Sequence, residues 1–420
     1  MKAAIRRYIL WCAHRQIARN KAPIVAVTGS VGKSSTKEAI KTLLSEKFRV
    51  RANYGSLNNE LGLPLAILGE KNGHNLFSWL WHVVRISWKV FVFDYRYDVL
   101  VLECGIDKPG DMAEILKLIT PDISIITTVE ESHFQNFEDY DQLINEKWQL
   151  AYGTKAQGLV IANYDNPPTP EAAQYLGTQD LITFGLNQKA TYSAQDLQYT
   201  ATGLTFSLVE PGSSSQIQVP LVGRVQAYIV LPAIIVAHRL GLTWTQIHAG
   251  LAKLEPLPGR LTVVKGINGS TLLESSYNAS PASMRSAIEV LKAMPGKRKI
   301  AIVGDMRELG SIAPEAHQDI LTLLAKNCTV ICAFGPLYEA ALQNLPAHTK
   351  AQAAFHHFKS REALTDFIIP KIGPGDVILI KGSQNTITLE KVSIELLADR
   401  SLAAKILPRQ YGKWKHQDHE

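Results

Sequence analysis

The sequence predicts an α/β protein with two domains, each built on a mostly parallel, doubly wound sheet. Short apolar runs at residues 24–27, 99–102 and 123–128 suit buried parallel strands better than helices. A glycine-rich turn with a lysine follows the first run and opens a helical pattern. Strands and helices alternate again over residues 300–395, after a Pro- and Gly-rich joint at 254–260. These observations predict a P-loop central domain and a smaller, Rossmann-like C-terminal domain.

The composition is that of a soluble globular protein. The chain has 420 residues, of which 46% are hydrophobic and 20% charged, so it can form two or three domains. Its four cysteines are too few for a disulfide framework, and Cys328 and Cys332 are expected to be buried strand thiols. Since residues 1–20 lack the features of a cleavable signal, we expect a cytoplasmic protein.

Residues 1–22 are predicted to form a basic amphipathic helix. They hold six basic residues and no acid, which accounts for the net charge of +6. The predicted apolar face of this helix comprises Ile5, Ile9, Cys12, Ala13 and Ile17. The helix either packs on its own protein or contacts a membrane surface or anionic partner. The remaining chain is neutral and carries no nucleic-acid-binding motif, so no nucleic acid partner is expected.

The turn after the first strand has the pattern of a phosphate-binding loop. Its glycines allow backbone N–H groups to converge on a phosphate at a helix N-terminus. Lys33 would bring a positive charge to the outer phosphates, and the Ser34 hydroxyl would coordinate Mg²⁺. Val27 stands where the common motif has its first glycine. The residues predicted to bind nucleotide here are Gly29, Ser30, Val31, Gly32, Lys33, Ser34 and Ser35.

Residues 73–95 form an apolar insertion, in which 76–93 are predicted to be an amphipathic helix. His82, Arg85 and Lys89 interrupt the apolar sequence at near-helical spacing, which argues against a membrane span. The predicted buried stripe comprises Leu76, Trp79, Leu80, Val83, Val84 and Phe91. The helix is expected to pack on the core, with dimerisation or contact with the membrane interface as alternatives.

Two further side chains follow predicted strands. Glu103 ends the second apolar run, at the carboxyl edge where α/β sheets place their ligands. His133 lies just past the next strand and is a candidate ligand. Both are therefore expected near the phosphate-binding loop.

The sequence resembles the Mur ligases, and within them the MurF type. The motifs that carry the resemblance are the Asn-rich segment 53–64 with Asn59, Glu103-Cys104-Gly105, the segment around His133, Gly259-Arg260, Ser276-Tyr277-Asn278, Gly304-Asp305-Met306 and Lys381-Gly382-Ser383. Such enzymes use ATP to add an amino acid or dipeptide to a peptidoglycan precursor. The resemblance implies domains at residues 23–255 and 256–420, and the absence of the N-terminal UDP-binding domain.

The resemblance also assigns roles to residues. Ser34, Glu103, His133 and Lys147 would hold one or two Mg²⁺, with Lys147 carbamylated by CO₂, since it lies fourteen residues after His133. Asn59, Arg260 and Asn278 would join the loop in binding ATP. The catalytic residues would be Lys33, Lys147, His133 and Asn278.

The predicted activity is amide ligation through an acyl phosphate. Val225, Ile229 and Ser275 replace polar residues of the family pattern on the nucleotide side. Two alternatives therefore stay open: a ligase of another acceptor, such as a polyglutamate or a lipid-linked muropeptide, and a degenerate, non-catalytic nucleotide-binding partner. We expect a cytoplasmic monomer, with residues 1–22 and 76–93 as candidates for contact with a protein or with the inner face of the membrane.

Overall fold

A computed structural model of the chain describes residues 2–53, 62–70, 76–92, 96–130, 136–166, 168–384 and 386–410. The chain divides into two compact units. Unit 1 comprises Met1–Leu197, Thr205–Val219 and Gln226–Leu254, and unit 2 comprises Gln198–Leu204, Pro220–Val225 and Glu255–Glu420. Two short segments from within the predicted central domain thus group with unit 2.

Unit 1 is built on a sheet with strand order β2-β3-β1-β4-β5-β6-β7-β8-β9. The strand pairs from β2 to β7 are parallel. Two-residue links join β7, β8 and β9, and links that short require antiparallel neighbours. The strands are β1 (Ile24–Thr28), β2 (Val50–Ala52), β3 (Val99–Glu103), β4 (Ile123–Ile126), β5 (Leu159–Asn163), β6 (Asp180–Gly185), β7 (Tyr192–Thr200), β8 (Gly203–Glu210) and β9 (Ser213–Val219).

Every residue of the central strands β1, β3, β4 and β5 is buried, because helices cover both faces of a parallel sheet. This explains the uninterrupted apolar runs and confirms the predicted α/β class. The helices of unit 1 are α1 (Lys2–Asn20), α2 (Lys33–Leu44), α3 (Gly62–Leu68), α4 (Leu76–Phe91), α5 (Asp111–Leu118), α6 (Tyr140–Tyr152), α7 (Pro168–Ala173), α8 (Ala227–Arg239) and α9 (Trp244–Ala252).

The two additions that the sequence singled out are both helical. In α1, Ile9, Cys12 and Ala13 are buried, as predicted. The stripe predicted for α4 is wrong at Val84 and Phe91, which are 58% and 48% exposed, whereas Val83 is half-buried. The side chains of Leu76, Trp79 and Leu80 lie outside the described part. The buried side of α4 instead carries His82, Ile86 and Val90. The helix is apolar on two sides, so its sequence pattern does not identify the side that faces the core.

Unit 2 has a second sheet, with order β10-β11-β15-β12-β13-β14, in which only the β10–β11 pair is antiparallel. Its strands are β10 (Thr262–Lys265), β11 (Thr271–Glu274), β12 (Arg298–Gly304), β13 (Val330–Phe334), β14 (Ala354–Phe358) and β15 (Asp376–Lys381). Its helices are α10 (Pro281–Ala293), α11 (Ala313–Ala325), α12 (Pro336–Gln343), α13 (Ala347–Lys350), α14 (Arg361–Ile368), α15 (Glu390–Leu396) and α16 (Ala403–Ile406).

The four cysteines are all buried and unbridged. Cys332 lies in β13 as predicted, but Cys328 precedes that strand. Within the described ranges, no helix has both the length and the apolar content needed to cross a membrane.

Candidate active site

The predicted phosphate-binding loop connects β1 to α2, and two of its glycines adopt positive φ angles that other residues rarely adopt. Gly29 has a φ of 139°, and a Cβ there would collide with Thr127 Oγ1. Gly32 has a φ of 90° and caps α2 without a side-chain hydrogen bond. An uncapped helix start presents backbone N–H groups and the positive end of the helix dipole, which together attract anions.

Two N–H groups of the loop do not point into an anion site. Those of Ser30 and Val31 donate to the Thr128 carbonyl, at 2.7 and 3.2 Å. The Ser30 hydroxyl also contacts the backbone of Glu130. The prediction that these N–H groups converge on a phosphate therefore does not describe this conformation, in which the loop is bonded to the segment after β4.

Lys33 and Lys147 meet at one carbonyl oxygen. Lys33 Nζ donates to Gly29 O at 2.8 Å and to Ser30 O at 3.1 Å. Lys147 Nζ donates to the same Gly29 oxygen at 3.1 Å. The lysine predicted to contact phosphates and the lysine predicted to be carbamylated thus share an acceptor.

Helix α6 holds Lys147 in the interior. Asp139 caps the helix by accepting from Gln142 N, and Glu146 Oε1 accepts from Met112 N of α5 at 2.8 Å. Burial lowers the pKa of Lys147 well below its usual value, and the charge of Lys33 lowers that pKa further. A lower pKa favours the neutral amine, which is the nucleophilic form of lysine that reaction with CO₂ requires.

Ser34 and Glu103 also meet, as the sequence predicts for metal ligands. Glu103 is the last residue of β3 and pairs in register with Val27 of β1, so its side chain emerges beside the loop that follows β1. Ser34 Oγ donates to Glu103 Oε1 at 3.0 Å. A hydroxyl and a carboxylate in contact are oxygen ligands of the kind that Mg²⁺ prefers.

Two residues that the sequence analysis did not assign hold Glu103 in place. Asn53 follows β2, the neighbour of β3; its Oδ1 accepts from Glu103 N at 2.8 Å and its Nδ2 donates to Glu103 O at 3.2 Å. Lys37 Nζ donates to Asn53 O at 2.8 Å and lies 3.7 Å from Glu103 Oε2. The spacing of Lys37, one helical turn after Lys33 and Ser34, is the signal that could have identified it.

Of the remaining predicted site residues of unit 1, one is described by the structure and two are not. Ser35 lies half-buried in the first turn of α2. His133 and Asn59, predicted as a metal ligand and a nucleotide contact, lie outside the described residues. Their roles stay predictions.

In unit 2 the structure brings Arg260 and Asn278 close to Lys381. Arg260 stacks on the Tyr277 ring, 4.4 Å from its centroid, and Lys381 Nζ donates to Asn278 O at 2.7 Å. The 304–310 loop is joined to the Lys381-Gly382-Ser383 turn, because Arg307 N donates to Ser383 Oγ at 2.9 Å. Glu274, the carboxylate nearest to Ser275 in sequence, is fully buried and accepts from Ser276 and Ser393.

The buried Lys381 makes a testable contribution to stability. Burial, and next the charge of Arg260, lower the pKa of Lys381 from 10.5 to about 7. Between these values the unfolded chain binds more protons than the folded one, so the free energy of unfolding rises with pH. We expect the stability of the wild type relative to Lys381→Met to rise across this window, by at most about 1.4 kcal/mol per pH unit. A difference independent of pH in denaturant titrations would contradict this.

Two family models match the chain. The Mur ligase middle domain matches residues 81–237, and the model described as "Mur ligase, glutamate ligase domain" matches residues 259–384. Together they cover more than half of the chain.

Curated relatives carry one name. The UDP-N-acetylmuramoyl-tripeptide–D-alanyl-D-alanine ligase of Escherichia coli K12 is 30% identical over 300 residues, which is 71% of this chain and 61% of the relative. The enzyme of the same name from Synechocystis is 29% identical over 380 residues, 90% of this chain and 75% of the relative.

Solved structures share the fold. The MurF ligase from Thermotoga maritima in complex with ADP superposes with a TM-score of 0.78 at 24% identity, covering 93% of this chain and 83% of that one. A pseudomurein peptide ligase type C from Methanothermus fervidus superposes with a TM-score of 0.64 at 15% identity, covering 87% and 76%. Because Mur ligase family models match more than half of its residues, the chain belongs to the Mur ligase family.

Proposed function

We propose that the chain is a MurF-like, ATP-dependent amide ligase that adds D-alanyl-D-alanine, or a similar amino acid or dipeptide, to a peptidoglycan precursor. The observation that carries the proposal is the contact between Ser34 and Glu103 at 3.0 Å, beside a glycine loop on which Lys33 and Lys147 converge. The names of the curated relatives supply the substrate class. In this proposal the protein works as a cytoplasmic monomer.

The residues present fit ATP and Mg²⁺. The start of α2 supplies N–H groups for phosphate oxygens, and Ser34 and Glu103 supply oxygen ligands for the metal. Mg²⁺, when bound, neutralises charge on a phosphoryl group during transfer. Lys33 would turn from the Gly29 and Ser30 carbonyls to the outer phosphates, and Arg260 and Asn278 are the nucleotide contacts that we propose in unit 2.

Carbamylation of Lys147 is part of the proposal. The lowered pKa of Lys147 favours the neutral amine that CO₂ requires, and the product would be an anionic oxygen ligand within the loop region. The positive charge of Lys33 would stabilise the anion formed beside it. His133 completes the proposed metal set.

The proposed reaction has two steps, formation of an acyl phosphate and then of an amide. The acceptor carboxylate attacks the γ-phosphorus of ATP, which forms an acyl phosphate and releases ADP. The amine then attacks the acyl carbon, a C–N bond forms, the C–O bond to phosphate breaks, and the amine loses a proton. The protein's part is to orient the two reactants and to stabilise charge with groups that are already in position.

One observation favours a second candidate, a nucleotide-binding protein without ligase activity. Ile229 is buried in α8, and Ser275 Oγ accepts from Lys381 at 3.3 Å, so these two positions serve packing and internal hydrogen bonding. A third candidate is a ligase with the same acyl-phosphate chemistry whose acceptor is a polyglutamate or a lipid-linked muropeptide.

One experiment separates these functions. The full chain, ATP and Mg²⁺ are combined with each candidate acceptor, with or without D-alanyl-D-alanine, and phosphate release and product mass are measured. We expect phosphate release that requires both the UDP-muramoyl tripeptide and the dipeptide. Phosphate release only with another acceptor would identify that acceptor as the substrate. ATP binding without phosphate release would support the non-catalytic candidate.

A further inference from the structure

Helices α1 and α4 lie against each other and against the core of unit 1. Tyr8 and Ser87 hydroxyls lie 2.5 Å apart, and Arg19 donates to Val90 O at 2.9 Å. On the buried side of α4, His82 and Lys89 contact the Glu70 carboxylate at 2.9 and 2.5 Å. These contacts hold α4 in one orientation about its axis, so its opposite side faces outward.

The outward side is strongly apolar. Among the described residues, ten large hydrophobic side chains are exposed, and six of them lie on or beside these two helices. We call them the aromatic face: Trp11, Trp81, Val84, Trp88, Phe91 and Val92. Trp81, Val84, Trp88 and Phe91 are spaced three to four residues apart, so they line one side of the helix, and Val92 follows directly after its end. Trp11 extends the face across to α1, because its ring stacks on Phe91 at 5.8 Å.

The charged side chains of α1 and α4 themselves are all basic. Neither helix contains an acidic residue. Arg6, Arg7, Arg15 and Arg85 are exposed, and Arg85 Nε also lies 3.5 Å from Glu70 Oε1. The Arg15 guanidinium lies over the Phe91 and Trp11 rings, 5.2 and 5.8 Å from their centroids. Apolar rings bordered by arginines match the region of a bilayer where acyl chains meet anionic headgroups.

We propose that the aromatic face docks on an anionic lipid bilayer, with α1 and α4 lying in the plane of the interface. The rings would enter the boundary between headgroups and acyl chains, and the arginines would contact lipid phosphates. A symmetric contact between two copies of this face is disfavoured, because it would bring the arginines of one copy against those of the other. This surface role goes beyond the proposed reaction and does not depend on it.

Co-sedimentation of the full chain with vesicles tests the proposal. We expect the protein to pellet with phosphatidylglycerol vesicles at low salt and much less with phosphatidylcholine vesicles. Binding should weaken as salt rises, since the screening length falls to about 8 Å at physiological ionic strength. Quenching of tryptophan fluorescence by lipids labelled on the acyl chain should accompany binding.

Variants on the aromatic face make the test specific. The double variant Trp81→Ser, Trp88→Ser should bind at least about tenfold more weakly, because two large apolar surfaces no longer leave water. Tyr175→Ser is the matched control, since Tyr175 is a 70% exposed aromatic residue elsewhere in unit 1. Equal melting temperatures of the variants and the wild type would exclude misfolding.

Three results would overturn the proposal. The first is the absence of pelleting with anionic vesicles at low salt. The second is equal binding by the double variant and the wild type. The third is a dimer in analytical ultracentrifugation that the double variant abolishes, because it would assign the aromatic face to a second copy of the chain.

Discussion

The variant Lys33→Ala is expected to lose the stabilisation that ATP and Mg²⁺ give to the wild type. A ligand at one hundred times its dissociation constant stabilises the folded state by about 2.7 kcal/mol, which a thermal melt detects readily. Without the ammonium group the outer phosphates lose their point charge, so turnover should fall on the order of 10³-fold. The ligand-free variant should lose at most about 2 kcal/mol of stability, because Lys33 makes two hydrogen bonds to loop carbonyls and each contributes about 1 kcal/mol.

Lys41→Ala is the matched control for this experiment. Lys41 lies on the same helix, and its ammonium group is 3.0 Å from Glu38 on the surface. The control should retain the full nucleotide-dependent rise in melting temperature. If Lys33→Ala retained it as well, the nucleotide site would have to lie elsewhere.

Lys147→Ala is expected to abolish turnover, and added short-chain carboxylic acids should restore part of it. Lys147 is buried, so its removal leaves a cavity next to Gly29 O that a small carboxylate can enter. The carboxylate would replace the carbamate oxygens, whose loss should cost at least about 10²-fold in rate. Activity assays with increasing acetate or propionate measure the rescue.

Lys147→Met serves as the control, because it removes the amine but fills the space. We expect the same loss and no rescue. In the wild type, isotope-labelled bicarbonate should give a carbamate signal in nuclear magnetic resonance spectra, which is a readout independent of turnover. Unchanged turnover in the alanine variant would remove Lys147 from the mechanism.

The sequence predicts most of the parallel strands correctly, because a strand buried on both faces needs an unbroken apolar run. This holds for residues 24–27 and 99–102, which became β1 and β3. The orientation of α4 was not predictable in the same way. Val84 and Phe91 are as apolar as Ile86 and Val90, so the side that faces inward is seen only from tertiary contacts, such as those of Glu70 with His82 and Lys89.

The candidate site was predictable to the extent that neighbouring strand ends bring residues together. Glu103 and Ser34 meet for that reason. The sequence did not reveal that Asn53 bonds the backbone of Glu103, or that the Thr128 carbonyl accepts the N–H groups of Ser30 and Val31. These contacts depend on how close separate segments come in three dimensions, which no local pattern encodes.

The burial of all four cysteines has a practical consequence. Burial raises the pKa of each thiol, to about 12 for Cys328 and Cys332, so the reactive thiolate is scarce in the native protein. Labelling by a thiol reagent must therefore wait until the surrounding structure opens. Cys12 and Cys104 belong to unit 1, and Cys328 and Cys332 belong to unit 2. Each unit thus contains two buried thiols whose labelling rate reports its opening. In single-cysteine variants, these rates would measure the opening of one unit independently of the other.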